Sequence, residues 1–137
     1  MRYDEVAAGG IDHAIRFTVD CTTRRYLWPA RHQAGVADPS CPPMGARFRL
    51  RIGFGLAGFS ADARVVLRAM KRYGMIVADN GSNWYFQGTT DERWTDALLG
   101  QLKSVPASAF VAVDESACKV SPDSGAFAYG AGCRAPG

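Results

Sequence analysis

The sequence predicts a single α+β domain, rich in β-structure, with a mainly antiparallel sheet and two helices. Three patterns lead to this prediction. Residues 11–19 and 47–54 alternate apolar and polar side chains, which is the period of a strand with one buried face. Residues 60–73 place apolar side chains three and four positions apart, which is the period of an amphipathic helix. Residues 75–88 combine two short apolar runs with an Asn-Gly step, which favours a tight turn between strands.

The two longer strands each have one apolar face. In the first, this face holds Ile11, His13, Ile15, Phe17 and Val19. His13 is therefore expected either to be hydrogen-bonded within the core or to face a cleft. In the second, the opposite face carries an arginine row, Arg47, Arg49 and Arg51. We expect this row to be solvated, and its natural partner would be an anionic polymer or a substrate carboxylate.

Both helices have recognisable ends. Ser60 can cap the first helix, and Gly74 can end it because glycine adopts the left-handed conformation at low cost. Leu67 and Met70 belong to its buried stripe, whereas four basic side chains face away: Arg64, Arg68, Lys71 and Arg72. Thr95 can cap the second helix, over residues 96–103. The remaining elements are a helical turn and two short strands, over residues 2–8, 26–28 and 108–113.

The apolar runs at residues 75–78 and 84–86 are predicted to form a hairpin around the turn at 79–82. The predicted domain covers residues 1–114. Residues 115–137 are rich in Ser, Ala, Gly and Pro without periodicity, so we expect an extended tail there.

Composition limits the classes of partner. The chain has 137 residues and a net charge of +3, which is too small to predict a nucleic-acid partner. It has neither an apolar run long enough to span a membrane nor an apolar signal core at its start, so we expect a soluble protein that is cytoplasmic as expressed. Its four cysteines form two local disulfides or remain free thiols: Cys21, Cys41, Cys118 and Cys133.

Candidate catalytic residues are carboxylates and histidines, because the motifs of serine hydrolases, zinc proteases and nucleotide enzymes are missing from the sequence. The candidates are Asp4, Glu5, His13, His32 and Asp79. Two carboxylates in reach of each other can hydrolyse a glycosidic bond. Asp4, Glu5 and Asp79 are also candidate ligands for Ca²⁺, which would polarise an ester or lactone carbonyl while a histidine acts as general base.

A second set of residues suits ligand binding without catalysis. Aromatic faces stack on sugar rings, and the candidates are Trp84, Tyr85 and Trp94, with Asn80 and Ser82 as polar neighbours. The sequence therefore supports three hypotheses. The first is a hydrolase of a carbohydrate, ester or lactone, the second is a carbohydrate-binding domain, and the third is a structural fragment of a larger protein. In the first two the partner is a small molecule or saccharide.

Five sequence blocks carry a resemblance: RYDEVAAG, HAIRFTV, YLWPARH, PPMGARFRL and YGMIVADNGSNWY. In this order they resemble the C-terminal part of a family of largely uncharacterised, often exported bacterial proteins. The match runs from Arg2 to about Asp114. The resemblance implies a truncated member that begins at an internal methionine and descends from an exported parent. It implies no particular reaction.

Overall fold

The computed structural model describes residues 1–83, 85–121, 123–126 and 128. The sheet contains β1, β2, β3 and β4, which span Ile15–Val19, Arg47–Leu50, Met75–Asn80 and Phe110–Val113. The α-helices are α1, α2 and α3, which span Tyr3–Ala7, Ala61–Arg72 and Asp96–Lys103. Two short 3-10 helices cover Ala107–Ala109 and Ser116–Cys118.

The four strands form one mixed sheet in the order β1-β3-β2-β4. β1 runs parallel to β3, while β2 is antiparallel to both β3 and β4. Two of the three pairings are thus antiparallel, and the α+β prediction with a mainly antiparallel sheet is confirmed. The opening turn adds α1 to the two longer helices.

The local signals for α2 and α3 are confirmed. The Ser60 hydroxyl accepts a hydrogen bond from the Ala63 N–H, and the Thr95 hydroxyl accepts one from the Leu98 N–H. Gly74 has a φ of +80° at the end of α2, a conformation that side-chain-bearing residues rarely adopt. On α2, Val66, Leu67 and Met70 are fully buried and belong to the same core as the sheet residues Ile15, Phe17, Met75 and Val77.

The predicted hairpin after β3 is wrong. Phe86 pairs antiparallel with Phe17 of β1, the Thr18 N–H donates to the Tyr85 carbonyl, and the Gln87 N–H donates to the Arg16 carbonyl. β1 already occupies the neighbouring position beside β3. The chain therefore crosses the carboxyl end of β1. It then pairs with the edge of β1 that faces away from β3. Trp84 lies outside the described residues.

Several predicted strands are shorter in the structure. Residues 11–14 precede β1 and residues 51–54 follow β2. The segment 26–28 makes a single bridge, between Tyr26 and Met44. The arginine row is only partly solvated. Arg49 and Arg51 are exposed, but Arg47 is half-buried, with its Nε 2.7 Å from Glu115 Oε1 and its Nη1 donating to the Tyr73 carbonyl at 2.5 Å.

The described part of the predicted tail packs on the domain. The Lys119 ammonium donates to the Trp28 carbonyl, and the Glu115 carboxylate pairs with Arg47. Of the alternatives for the cysteines, the structure contains the Cys21–Cys41 disulfide. Cys118 is also disulfide-bonded, and Cys133 lies outside the described residues. Among the described residues, no helix has the length and apolar character needed to cross a bilayer.

Candidate functional site

Glu5 and His13, two of the predicted catalytic residues, are in contact. Glu5 Oε1 lies 3.0 Å from His13 Nε2, and Glu5 Oε2 accepts the Arg2 N–H at 2.7 Å. The other ring nitrogen, His13 Nδ1, lies 2.8 Å from the Ala14 carbonyl oxygen. Both ring nitrogens therefore face oxygen acceptors. Because a neutral imidazole has only one N–H, both contacts are hydrogen bonds only when the ring is doubly protonated.

The environment of Glu5 favours its ionised form. Burial acts to raise the pKa of Glu5, but the Arg2 N–H and the His13 ring together outweigh burial and lower the pKa below its usual value. The Glu5 side chain is only 17% exposed, so its two partners replace water that the carboxylate would otherwise bind. This contact connects α1 to the residues just before β1.

A second network ties α1 to the loop that precedes α3. Arg93 Nη2 lies 2.7 Å from Asp4 Oδ1 and 2.7 Å from Asp91 Oδ2, and Arg93 Nε donates to Asp91 Oδ1 at 2.9 Å. The hydrogen bonds from the Arg93 side chain and backbone lower the pKa of Asp91 to about 2, while bonds to Asp91 and Asp4 raise the pKa of Arg93. Asp4 is therefore already engaged by a cation.

Tyr3 joins this network to α2. The Arg93 guanidinium lies 4.6 Å from the centre of the Tyr3 ring, and Trp94 packs edge-on against the same ring at 5.1 Å. The Tyr3 hydroxyl donates to Asp62 Oδ2 at 2.5 Å, and this hydrogen bond raises the pKa of Tyr3. These contacts hold α1 at a defined position beside α2.

A cleft of about 650 Å³ lies between α1 and α2. Its apolar wall includes Ile11, Val65 and Ala69, and its charged lining consists of three arginines and three acids: Arg2, Arg68, Arg72, Asp4, Glu5 and Asp12. Among the ion pairs of the described residues, none involves these arginines, whereas Asp4 and Glu5 pair with Arg93 and His13. Three guanidiniums and the Asp12 carboxylate thus line the cleft without an ion-pair partner among the described residues, although the Arg72 guanidinium lies 5.4 Å from the centre of the Tyr73 ring.

A second groove, of about 870 Å³, separates the loop around residues 39–48 from the segment 112–121. The Arg47–Glu115 pair lies in this groove. None of the predicted catalytic residues lines it.

Asp79, predicted as a turn residue, instead lies in β3, near the carboxyl end of β1, and the turn follows Asn80. Thr18 is the register partner of Asp79, whereas His13 precedes β1, whose five residues span roughly 13 Å at the usual rise per residue. Asp79 Oδ1 accepts the Asn80 N–H at 2.8 Å, and the Ser82 carbonyl accepts the Thr18 hydroxyl at 2.6 Å. The turn and the opening helix therefore do not share the predicted site.

His32 belongs to the Asp79 end of the molecule. It is exposed in a loop whose Ala34 carbonyl accepts the Asn80 side-chain amide at 2.8 Å. Within the described part of the chain, no group of three or more His, Cys, Asp or Glu side chains is placed to hold a metal ion. The calcium hypothesis, with Asp4, Glu5 and Asp79 as ligands, therefore finds no common ligand set there.

The predicted aromatic platform is divided between separate contacts. Trp94 packs on Tyr3, and its indole N–H donates to the Thr89 carbonyl at 3.0 Å. Tyr85 is 52% exposed, but the Lys103 ammonium lies 3.9 Å from the centre of its ring. Trp84, the third member, lies outside the described residues. The two described aromatic residues thus serve packing and cation contacts.

Sequence reasoning missed the cleft arginines. Arg68 and Arg72 are four positions apart on the face of α2 that was expected only to meet solvent. Their spacing was a usable signal, because residues at i and i+4 form one patch. No local sequence pattern indicated a role for Arg2 or Arg93, because their contacts depend on how α1 packs on the rest of the domain.

Comparison of the chain with protein-family models, curated proteins and solved structures finds no match.

Proposed function

We propose that this protein is a binding domain for a small anionic ligand, with a carboxylated saccharide as the ligand class and the cleft between α1 and α2 as the site. One observation carries the proposal. Arg2, Arg68 and Arg72 line the cleft without an ion-pair partner among the described residues, while Asp4 and Glu5 on its wall are paired elsewhere. The cleft therefore offers three guanidinium groups that no carboxylate of the described residues engages.

Guanidinium groups suit such a ligand. Their planar arrangement of donors matches a carboxylate, which accepts two parallel hydrogen bonds. Ile11, Val65 and Ala69 are buried core residues that form the floor of the cleft, so a sugar ring would contact only a small apolar area there. A volume of about 650 Å³ lies within the ordinary range for small-molecule sites.

Hydrolysis is the second candidate function, favoured by the contact of Glu5 with His13 at the edge of the same cleft. A histidine general base needs one ring nitrogen free to take a proton from the attacking water. Both nitrogens of His13 instead face the oxygens of Glu5 and Ala14. Binding without turnover is therefore the better-supported function.

The family resemblance and the exported origin stay predictions, although a disulfide suits an exported protein.

The test compares two ligands that differ only at their carboxyl groups, which are ionised in one and methylated in the other. Calorimetry with tetragalacturonate and with its methyl ester should show binding of the acid and at least about tenfold weaker binding of the ester, since a hydrogen bond to a charged group is typically worth about 1.5–3 kcal/mol. Arg68→Gln/Arg72→Gln should weaken binding of the acid by at least about tenfold for the same reason. Equal affinity for acid and ester, or binding of neither, would overturn the proposal.

The matched control is Arg24→Gln/Arg49→Gln. It removes the same amount of charge from two exposed arginines outside the cleft. An equal loss in this control would show that affinity follows net charge rather than the cleft. Release of new reducing ends that disappears in Glu5→Gln would favour hydrolysis. A chain that binds neither ligand and turns over neither would favour the structural-fragment hypothesis.

A further inference from the structure

The loop between β2 and α2, residues 51–60, presents apolar side chains at the surface; we call it the apolar loop. Ile52 is 74% exposed and is the most exposed of the large hydrophobic side chains in the described part of the chain. Phe54, Leu56 and Phe59 are half-buried at the margin of the core. The apolar loop therefore has a packed base and an exposed aliphatic tip.

Side chains of α2 hold the apolar loop in this position. The Lys71 ammonium donates to the Ile52 carbonyl at 2.8 Å and to the Phe54 carbonyl at 2.6 Å. The Arg64 guanidinium donates to the Phe59 carbonyl at 2.8 Å. Because these bonds fix both ends of the loop, Ile52 is held outward and loses little further conformational freedom on binding a partner.

The surroundings of the apolar loop are basic. No Asp or Glu occurs between Asp38 and Asp62, and the nearest acid that follows, Asp62, is engaged by the Tyr3 hydroxyl. Exposed Arg49 precedes the loop, and exposed Arg51 is its first residue and donates to the Ser108 carbonyl. Arg64 and Lys71 at the base of the loop add two more cations near it.

We propose that the apolar loop docks this protein on an anionic lipid surface, with Ile52 inserted among the acyl chains and the flanking cations at the headgroups. A protein partner fits less well, because a stable protein interface buries about 800 Å² on each side and the loop offers one exposed large side chain. A lipid interface accepts a small apolar insertion when basic residues add attraction to anionic headgroups. Such docking takes place at the membrane surface and needs no membrane-spanning helix. It is therefore compatible with the lack of a long apolar run in the sequence.

The test is co-sedimentation with vesicles of phosphatidylcholine alone and of phosphatidylcholine mixed equally with phosphatidylglycerol. We expect binding to the anionic vesicles at least about fivefold above that to the neutral ones, and a decrease at high salt because ions screen the attraction. Ile52→Ser should reduce binding by at least about fivefold, since burial of a large aliphatic side chain is worth more than that factor. Val36→Ser is the control, because Val36 is 53% exposed but lies in a different loop.

Four outcomes would overturn this inference. They are equal binding to both vesicles, no binding to either, unchanged binding by Ile52→Ser, and self-association in solution that Ile52→Ser removes. The last would identify a second copy of the chain as the partner.

The inference is independent of the proposed ligand site. Arg68→Gln/Arg72→Gln should keep vesicle binding within about twofold, because neither arginine contacts the loop among the described hydrogen bonds.

Discussion

The two ends of β1 use polar side chains in different ways. At the amino end, Glu5 contacts His13 eight positions away and Asp4 contacts Arg93 across 89 positions, so the side chains connect separate elements. At the carboxyl end, Asp79 accepts the N–H of the next residue and Asn80 donates to a loop carbonyl. The first end is held by side-chain pairs, and the second end uses its side chains to shape the backbone.

This difference indicates where a ligand can bind. At the amino end Asp4 pairs with Arg93 and Glu5 contacts His13, so no carboxylate of the described residues engages the arginines of the adjoining cleft. At the carboxyl end the polar groups already bind backbone atoms, and a ligand would have to displace those bonds. The comparison therefore favours the amino end as the place of the proposed ligand site, while the side chains at the carboxyl end shape the backbone.

The largest expected effect concerns the core that both ends share. Met70 is fully buried on α2, so Met70→Ala should cost about 2–5 kcal/mol of unfolding free energy through lost burial and a residual cavity. Chemical denaturation measures this loss. Arg72→Ala, on the exposed face of the same helix, is the control. A loss below about 0.5 kcal/mol for Met70→Ala is typical of a surface site and would contradict its position in the core.

The next effect acts mainly on the carboxyl end, where the Cys21–Cys41 disulfide closes a segment with a sequence separation of 20. Removing a cross-link of this span should cost about 3 kcal/mol by the chain-entropy argument. Denaturation of Cys21→Ala/Cys41→Ala measures this cost. Ligand affinity in the cleft should stay within about twofold, because the double substitution leaves all cleft residues in place. A larger change in affinity would show that the two ends are coupled.

Local sequence signals predicted the elements of the fold but not how they meet. Ser60, Gly74 and Thr95 fix helix ends through bonds and backbone angles within a few residues, so they can be read directly from the sequence. The position of Tyr85 beside β1 depends on which strand lies next to β3, and residues near the turn do not contain that information. The contact of Arg93 with Asp4 joins residues 89 positions apart, so local periodicity could not show that Asp4 is neutralised.

A smaller effect tests the Glu5–His13 contact. The pKa of Glu5 is lowered in the folded protein, so the ionised carboxylate stabilises the fold above its usual pKa of 4.5. This contribution should disappear as the pH falls through the lowered value. Glu5→Gln should cost about 0.2–1 kcal/mol at neutral pH, and wild type and variant should converge in acid. Unfolding measured across this pH range tests the prediction, with Asp12→Asn as the control. A difference that persists unchanged in acid would mean that the carboxylate charge is not responsible.

The smallest effect is expected for Asp79→Asn, which separates a structural turn from a site at the carboxyl end. The Asp79 carboxylate accepts the Asn80 N–H, and the asparagine side-chain oxygen can accept the same bond while the charge is lost. We expect the melting temperature to change by no more than a few degrees, which corresponds to less than about 1 kcal/mol in a domain of this size. Tetragalacturonate affinity should stay within about twofold, because Asp79 does not line the cleft.

Asp91→Asn is the comparison variant for the amino end, since it removes one of the two carboxylates that hold Arg93 near Asp4. A loss of at least about tenfold in hydrolysis or metal binding for Asp79→Asn alone would contradict this comparison. The chemistry would then belong at the carboxyl end, where Asp79, Asn80 and the His32 loop lie together.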